Sequence, residues 1–210
     1  CMTADKERPC TSFAVTSAKP SEGKSLTAAN IAISYAMLGK KVLLIDADMR
    51  KPTQRRLWRV EKPTGLCDFL AKISKLELDK VKDLPLWIVC TGTIPPNPSE
   101  LLSSERMKHF VEESAKVYDY IIIDTPPINT VADAQIVSTY VDGVVLVVKS
   151  GDTTEDELNE AIDAVRRAGG NLCGTVLNDL NMKSVKYAYK YKYGGKYGYK
   201  YSYSESYEAR

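Results

Sequence analysis

The sequence lacks the features that would place it in a membrane, a secretory route or a zinc-stabilised scaffold. Its 210 residues contain no apolar run close to the roughly 20 residues that a bilayer-spanning helix needs. The first ten residues, CMTADKERPC, have neither an apolar stretch nor a small-residue cleavage site, so we expect no secretory leader. The five cysteines include no C-x-x-C pair, which argues against a disulfide framework and a zinc site and favours the reducing cytoplasm.

The whole chain also has almost no excess of one sign of charge. Its 29 lysines and arginines against 27 aspartates and glutamates give a formal net charge of +2 at pH 7. The charge is unevenly divided, because the segment from Lys183 onward carries six lysines and one arginine against two glutamates. That segment has a net charge of +5, and the preceding 182 residues have −3. By composition the body of the chain is therefore not a basic nucleic-acid binder, and we predict no nucleic-acid partner.

Short apolar runs alternate with longer helical patterns, in a chain whose hydrophobic content of 44% is typical of one globular domain. The apolar runs predict strands at residues 12–17, 41–48, 86–92, 120–127, 143–150 and 172–179. The helical patterns predict helices at residues 25–38, 64–74, 103–117, 130–140 and 154–168. Strands that are buried on both faces and separated by helices indicate a mostly parallel central sheet in a three-layer α/β/α fold. We assign this domain to residues 1–182 and a flexible tyrosine-rich tail to residues 183–210.

A phosphate-binding loop is the first motif that carries chemistry. The first predicted strand runs into SAKPSEGKS, residues 17–25, and then into a helix. Gly23, Lys24 and Ser25 fit the end of the G-x-x-x-x-G-K-[ST] pattern, although Ala18 stands in place of its first glycine. In a loop between a strand and a helix N-terminus, backbone N–H groups and the helix dipole can hold a polyphosphate. The alternative is an ordinary strand-to-helix turn with an exposed lysine.

Three aspartates mark the ends of two further predicted strands. Asp46 and Asp48 stand at and just after the end of VLLID, and Asp124 ends YIIID. Since the carboxyl ends of parallel strands face the ligand crevice, we expect all three beside the phosphate loop. Buried unpaired carboxylates are costly, and a Mg²⁺ ion would remove that cost. Taken singly, each aspartate could instead be a helix cap or a turn residue.

Four segments in series resemble one family. They are SAKPSEGKS, VLLIDADMRKPTQ, GTIPPNPSELLSSERM and YIIIDTPPINTVADAQ. Together they resemble the cytoplasmic catalytic domain of bacterial tyrosine kinases, which autophosphorylate a C-terminal tyrosine cluster and regulate export of capsular and exopolysaccharide. The resemblance covers residues 12–180, and the tail continues it. Related ATPases of chromosome partitioning and septum placement share the phosphate loop but usually lack the D-x-D-x-R and PPNPSELL stretches.

The resemblance implies an ATP-dependent protein-tyrosine kinase with a P-loop NTPase fold and a deviant phosphate loop of the partitioning-ATPase type. ATP and Mg²⁺ are the implied cofactors. Lys24 would contact the β- and γ-phosphates, and the Ser25 hydroxyl, Asp46 and Asp124 would hold the metal. Asp48 would face the tyrosine hydroxyl, whose pKa is near 10, and would act with Lys24 and Asp46 in catalysis. The alternative is a partitioning-type ATPase that acts as a nucleotide-switched dimer and whose tail docks a partner.

The implied nucleotide site extends beyond the end of the loop. Lys19 stands where the partitioning ATPases carry an extra lysine that reaches a phosphate across a dimer, and simple solvent exposure is its alternative. Asn178 ends the last strand, where such folds hydrogen-bond adenine, and a turn asparagine is its alternative. The implied nucleotide-binding residues are Lys19, Pro20, Ser21, Glu22, Gly23, Lys24, Ser25, Leu26 and Asn178.

The resemblance also implies partners. These are further copies of the chain, joined through contacts between tail and active site, and a cognate protein-tyrosine phosphatase. A transmembrane activator of the polysaccharide co-polymerase type, fused or separate, would hold the chain at the inner face of the cell membrane. A basic cluster at Arg50, Lys51, Arg55 and Arg56 could receive an acidic neighbour or this activator, or form a solvated face. Family members usually begin with a helix that carries an E-x-x-R-x-x-R pattern and joins subunits into a ring. The first ten residues, CMTADKERPC, do not show this pattern. Either the sequence starts after that helix or the chain assembles differently, so the sequence leaves a ring open.

The C-terminal segment contains nine of the 13 tyrosines. Their alternation with other residues, broken by Gly194 and Gly195, leaves open a β-hairpin and a stacking platform for single-stranded nucleic acid. The resemblance implies instead that the tail is the kinase's own substrate, phosphorylated between subunits. The predicted acceptors are Tyr187, Tyr189, Tyr191, Tyr193, Tyr197, Tyr199, Tyr201, Tyr203 and Tyr207.

Overall fold

The computed structural model describes residues 11–180, which contain seven strands and seven helices. The strands are β1 (Ser12–Ser17), β2 (Val42–Asp46), β3 (Asp79–Lys80), β4 (Leu86–Val89), β5 (Tyr120–Asp124), β6 (Gly143–Lys149) and β7 (Leu172–Asn178). The helices are α1 (Lys24–Met37), α2 (Gln54–Trp58), α3 (Leu66–Leu70), α4 (Pro98–Ser103), α5 (Glu105–Ser114), α6 (Asp133–Ser138) and α7 (Glu155–Arg167). The predicted tail and its nine acceptor tyrosines lie outside the described residues.

The strands form one sheet in the order β3-β4-β2-β5-β1-β6-β7. All neighbouring strands are parallel except β3, which runs antiparallel to β4 at one edge. The central strands β1 and β2 are buried along their whole length, as expected for strands covered on both faces. The prediction of a mostly parallel sheet is confirmed, and each of the six predicted strands is present.

Helices cover both faces of the sheet. Leu43, Ile45 and Ile123 point to one face, where they pack with buried residues of α3, α4, α5, α6 and α7. The alternate residues Leu44 and Ile122 point to the other face and pack against the alanine-lined side of α1. The two apolar layers and the sheet between them are the predicted three-layer fold.

Three short elements, α2, β3 and α4, are absent from the sequence prediction. With two to six residues each, they are too short to display a hydrophobic period. The predicted helix at 64–74 is also shorter than expected, since it covers only Leu66–Leu70. Among residues 11–180, no helix is both long and apolar enough to cross a bilayer.

The sheet brings two of the predicted site residues together. β1, β2 and β5 lie side by side, and in the ladder between β2 and β5 Asp46 is the register partner of Asp124. On the other side of β5, Asp124 is paired with Val15 of β1. Both carboxylates therefore stand at the sheet edge from which the phosphate loop leaves β1.

Candidate active site

The phosphate loop connects β1 to α1 and has a tightly packed backbone. Ser21 and Gly23 have positive φ angles of 67° and 89°. A Cβ at Gly23 would lie 2.1 Å from Nδ2 of Asn178, so only glycine fits at this point of the loop. Asn178 Nδ2 also donates to the carbonyl oxygen of Glu22 at 3.0 Å. The end of β7 therefore holds the loop in place through Asn178.

Glu22 and Lys19 tie the loop to the start of α7. Glu22 is fully buried, and its carboxylate accepts hydrogen bonds from the Lys19 N–H at 2.9 Å and from the Thr153 hydroxyl. Lys19 Nζ lies 3.1 Å from Glu157 Oε2 and 3.6 Å from Asp152 Oδ2. The hydrogen bond to Glu157 raises the pKa of Lys19. Lys19 is therefore paired within its own chain.

Lys24 lies among the three predicted carboxylates. Its Nζ donates to Asp48 Oδ2 at 2.7 Å and to the Ser25 hydroxyl at 3.2 Å, and it lies 3.8 Å from Asp124 Oδ1. Burial opposes a charge on Lys24, but the negative charges of Asp124 and Asp48 outweigh burial and raise its pKa. The structure thus assembles a buried ammonium group and carboxylates where the sequence predicts phosphate and metal binding.

Gln54, which the sequence analysis does not single out, fixes the two innermost carboxylates. Its Nε2 donates to Asp124 Oδ2 at 2.8 Å and to the Ser25 carbonyl at 2.9 Å. The backbone N–H groups of Thr53 and Gln54 donate to Asp46 Oδ2 at 3.1 and 2.9 Å. Because Gln54 is fully buried, these bonds set the orientation of both carboxylates at the start of α2.

One oxygen of each inner carboxylate has no hydrogen-bond partner among the described residues. These buried atoms are Asp46 Oδ1 and Asp124 Oδ1. Burial, reinforced by the charge of Asp124, raises the pKa of Asp46 to about 7. Burial also raises the pKa of Asp124. Two unsatisfied carboxylate oxygens on neighbouring strands are the kind of ligand that Mg²⁺ prefers.

Asp46 and Asp124 suit Mg²⁺ better than a metal ion that takes all its ligands from protein side chains. In the part of the chain that the structure describes, no group of three or more His, Cys, Asp or Glu residues is arranged to hold a metal ion. Mg²⁺ usually takes one or two carboxylates and completes its shell with water and substrate phosphates. Asp46 and Asp124 therefore fit the predicted magnesium site.

A cleft of about 480 Å³ opens next to these carboxylates. Of the predicted site residues, it is lined by Pro20, Ser21, Gly23, Lys24, Ser25, Leu26 and Asp48. Lys19, Glu22 and Asn178 support the loop from outside the cleft. Asp46 and Asp124 are fully buried behind it. The structure thus gathers the predicted residues at one place and separates those that line the cleft from those that support it.

Comparison with known proteins shows which family this site belongs to. Residues 11–171 match a family model described as an AAA domain. Tyrosine-protein kinase YwqD of Bacillus subtilis is 44% identical over 189 residues, which cover 89% of this chain and 80% of YwqD. The chain belongs to the bacterial tyrosine-protein kinases. Tyrosine-protein kinase CpsD of Streptococcus pneumoniae serotype 4 is 38% identical to this kinase over 178 residues, which cover 83% of it and 78% of CpsD.

Solved structures confirm the fold class of the kinase. The kinase domain of Escherichia coli tyrosine kinase ETK matches it with a TM-score of 0.80 at 31% identity, over 92% of this chain and 72% of that one. The septum site-determining protein MinD of Pyrococcus horikoshii, solved with Mg-ADP, matches with a TM-score of 0.68 at 20% identity, over 80% of this chain and 69% of that one. The likeness to MinD shows the fold alone, whereas YwqD, CpsD and ETK, all above 30% identity, are tyrosine kinases. The kinase function is therefore favoured over the partitioning-ATPase alternative.

The kinase holds Arg50 in a network that links three of its motifs. Arg50 Nε and Nη2 donate to the two carboxylate oxygens of Asp133 at 2.8 and 3.1 Å. The Ser99 hydroxyl donates to Asp133 Oδ1 at 2.6 Å. Asp133 is fully buried, whereas 40% of the Arg50 side chain is exposed. The acidic neighbour of Arg50 therefore lies in the same chain, and Arg50 is not a free member of the predicted basic cluster.

Gln54, Ser99 and Asp133 are the residues of this site that the sequence analysis missed. Each stands inside one of the four segments that carry the family resemblance. Their charged partners, however, are 34 to 83 residues away in the chain, so no local spacing reveals them. Their membership of the motifs is the one signal that could have drawn attention to them.

Proposed function

We propose that this kinase transfers the γ-phosphoryl group of ATP to tyrosines of its own C-terminal cluster, between subunits, and thereby regulates polysaccharide synthesis and export. The observation that carries the proposal is the grouping of Lys24 and Asp48 with the buried oxygens of Asp46 and Asp124 that accept no hydrogen bond, at one edge of the sheet. The same chain ends in a segment with nine tyrosines. The role in polysaccharide export is taken from the family resemblance of the four motifs.

Each residue of the site has a proposed task. Lys24 would exchange Asp48 for oxygens of the β- and γ-phosphates. Asp46, Asp124 and the Ser25 hydroxyl would hold Mg²⁺, which when bound neutralises phosphate charge. Asp48 lines the cleft and would accept the phenolic proton while the tyrosine oxygen bonds to the γ-phosphorus and the bond to the β–γ bridging oxygen breaks. The products are ADP and phosphotyrosine.

We assign the adenine to a cavity separate from the catalytic cleft, at the end of β7. A mostly apolar cavity of about 590 Å³ lies between α1 and the strands β6 and β7, and it is lined by Thr27, Ile31, Val176 and Asn178 among others. Asn178 contacts the loop and this cavity at once. These two contacts support our proposal that Asn178 hydrogen-bonds the base of a nucleotide whose phosphates lie against the loop.

Transfer between subunits is consistent with the length of the tail. The last 25 residues of the tail, 186–210, span at most about 80 Å at roughly 3.3 Å per residue, which is enough to reach the site of a neighbouring copy. We further propose a transmembrane activator, fused or separate, that keeps the kinase at the inner face of the membrane. A protein-tyrosine phosphatase would reset the tail.

The test is to incubate the full chain with labelled ATP and Mg²⁺, with and without an activator peptide, and to analyse the C-terminal peptides by mass spectrometry. We expect phosphotyrosine in the tail, lost in Lys24→Met and in Asp48→Asn. Lys40→Met serves as the matched control, because Lys40 is exposed and does not line the cleft. ATP hydrolysis without tail phosphotyrosine under both conditions would favour the partitioning-ATPase alternative.

A second variant separates the acceptor from the enzyme. Replacing the nine tail tyrosines by phenylalanine removes the hydroxyl that is phosphorylated but leaves Lys24 and the three aspartates in place. We expect this variant to lose self-labelling and to phosphorylate an added peptide of the wild-type tail sequence. Failure to label the added peptide would contradict the proposal that the tail is only the acceptor.

A further inference from the structure

A second cleft adjoins the catalytic cleft on the far side of α2. It has a volume of about 440 Å³ and is lined by Arg55 and Arg56 together with the apolar side chains of Pro52, Val60 and Ile94. Arg56 also lines the catalytic cleft, so the two clefts share a wall. Ile94 is 59% exposed, so an apolar surface lies open beside the two guanidinium groups.

The positive charge of this second cleft is not neutralised. Arg55 is held in place by hydrogen bonds from its Nε to the Val60 carbonyl at 3.2 Å and from its Nη2 to the Glu61 carbonyl at 3.1 Å. Among the described residues, the Arg56 guanidinium has no hydrogen bond or ion pair, and no carboxylate lines the cleft. Two cations of the catalytic cleft differ in this respect, because Lys24 is paired with Asp48 and Arg50 with Asp133. Lys51, which also lines that cleft, has no side-chain partner among the described residues.

Guanidinium groups next to an apolar wall match one class of ligand, a phosphate ester of a phenol. Arginine binds phosphate through two parallel hydrogen bonds, and phosphate recognition by arginine clusters is a recurrent mode of peptide binding. An aromatic ring attached to that phosphate would contact Pro52, Val60 and Ile94. We propose that this cleft is a phosphotyrosine subsite, which binds a tyrosine already phosphorylated while a neighbouring tyrosine of the same tail occupies the catalytic cleft.

The composition of the tail supports this assignment, which rests on the proposed function. Side chains two residues apart in an extended chain point the same way at a separation of about 7 Å. Eight of the nine tail tyrosines fall in two runs with that spacing, one on each side of Gly194 and Gly195. The unmodified tail carries +5, so its lysines are repelled by Arg55 and Arg56. One phosphate adds about −1.5 to −2 charges and creates an attractive group. The subsite therefore favours tails that already carry phosphate.

The test compares three synthetic peptides of residues 186–204 as substrates of the full chain whose own tail tyrosines are changed to phenylalanine. One peptide is unmodified, one carries a single phosphotyrosine at position 191, and one carries phosphoserine there. We expect kcat/KM for the phosphotyrosine peptide to exceed that of the unmodified peptide roughly tenfold, mainly through KM. The phosphoserine peptide should gain less because it lacks the ring. In Arg55→Gln and in Arg56→Gln the ratio should fall to about one.

Arg59→Gln is the matched control, because it removes an equal charge one turn further along, outside both clefts, and it should keep the tenfold ratio. A ratio of one in the parent chain, or an unchanged ratio in Arg55→Gln, would overturn the subsite. Equilibrium binding of the phosphotyrosine peptide to Lys24→Met tests the subsite without catalysis. If Arg55→Gln weakens this binding about tenfold, the subsite is supported. If, in addition, the parent chain phosphorylates no peptide, the proposed function is refuted and the subsite is not.

Discussion

Gln54 is the residue on which the inner part of the site depends most. Its side chain bonds to Asp124 and to the carbonyl of Ser25, and its Oε1 accepts a hydrogen bond from Trp58 Nε1 at 3.0 Å. Both ends of the amide are therefore used, which fixes which end faces Asp124. With Asp124 Oδ2 occupied in this way, Oδ1 is the oxygen left for a ligand. Gln54 is thus a positioning residue that acts through Asp124 and Asp46.

We expect Gln54→Ala to lower kcat at saturating ATP by roughly tenfold to a hundredfold, because Asp124 loses its buried donor and its orientation. The apparent affinity for Mg²⁺ should fall with it, and raising the Mg²⁺ concentration should restore part of the rate. Trp58→Phe is the control, because it removes the donor to Gln54 Oε1 and keeps an aromatic ring at this position, while the bonds from Gln54 to Asp124 and Ser25 remain. A Gln54→Ala kinase with unchanged Mg²⁺ dependence would contradict the positioning role.

Asp46 makes the metal-free kinase sensitive to pH. Its pKa rises from the ordinary value of 3.8 to about 7, because the carboxyl is buried and Asp124 lies beside it. The folded state therefore favours the protonated acid more than the unfolded state does. The resulting stability is fully present below about pH 4 and is lost as the pH rises through 7. A shift of this size corresponds to a few kcal/mol at most.

Asp46→Asn should therefore stabilise the metal-free kinase at pH 8 by roughly 1–4 kcal/mol and should flatten the pH dependence between 4 and 8. The measurement is urea unfolding in the presence of a chelator at several pH values. Asp83→Asn is the control, because Asp83 is exposed and far from the site, and it should change nothing. If Asp46→Asn were less stable than the wild type at pH 8, the charged carboxylate of Asp46 would not destabilise the folded state as its burial indicates.

At the scale of secondary structure elements, Arg50 and Asp133 connect parts of the chain that the sheet does not join. Arg50 follows β2, Asp133 begins α6, and Ser99 lies in α4, and their side chains meet in one network. Asp133 is fully buried, so its carboxylate oxygens rely on these donors for hydrogen bonds. Removing a donor from a buried carboxylate is costly, whereas removing the carboxylate leaves only a partly exposed arginine.

We therefore expect an asymmetry between the two partners. Arg50→Met should lower the free energy of unfolding by roughly 3 kcal/mol, because Asp133 keeps a buried charge with Ser99 as its remaining side-chain donor. Asp133→Asn should cost less, and the double variant should be more stable than Arg50→Met. Lys51→Met is the control, because Lys51 is exposed and its side chain has no partner among the described residues. Equal losses in both single variants would contradict the account, and chemical denaturation measures them.

The same network shows what could and could not be predicted from the sequence. Asp46 and Asp124 were predictable, because both end apolar strands and parallel strands end at one edge of the sheet. The partner of Arg50 was not, because an arginine in a basic run has the same local pattern whether it faces solvent or a buried aspartate 83 residues away. Gln54 was hidden in a five-residue helix without a period of its own. Local sequence patterns therefore predict where strands end, whereas the partners of buried side chains depend on how distant segments pack together.

Over the whole molecule, charge is divided so that phosphorylation can reverse the sign of the tail's net charge. The tail carries +5 and the rest of the chain −3, so we expect an unmodified tail to be attracted to the body of a neighbouring copy. Each phosphate adds about −1.5 to −2 charges, so three or four phosphates cancel the tail's charge. A tail with one phosphate is still positive overall and also fits the arginine-lined cleft. Further phosphates make both partners negative.

We predict that phosphorylation releases the tail from a neighbouring active site and loosens the assembly, and that release begins only when the tail carries about three phosphates. Light scattering on a sizing column, with mass spectrometry of each fraction, measures assembly against phosphate number. Changing Lys190 and Lys192 to glutamine lowers the charge of the tail by two, so release should then begin at about one phosphate fewer. The chain with all tail tyrosines changed to phenylalanine should keep the same assembly mass with and without incubation with ATP. A mass that does not change with phosphate number, or a threshold that the two lysines do not move, would show that charge reversal is not what separates the copies.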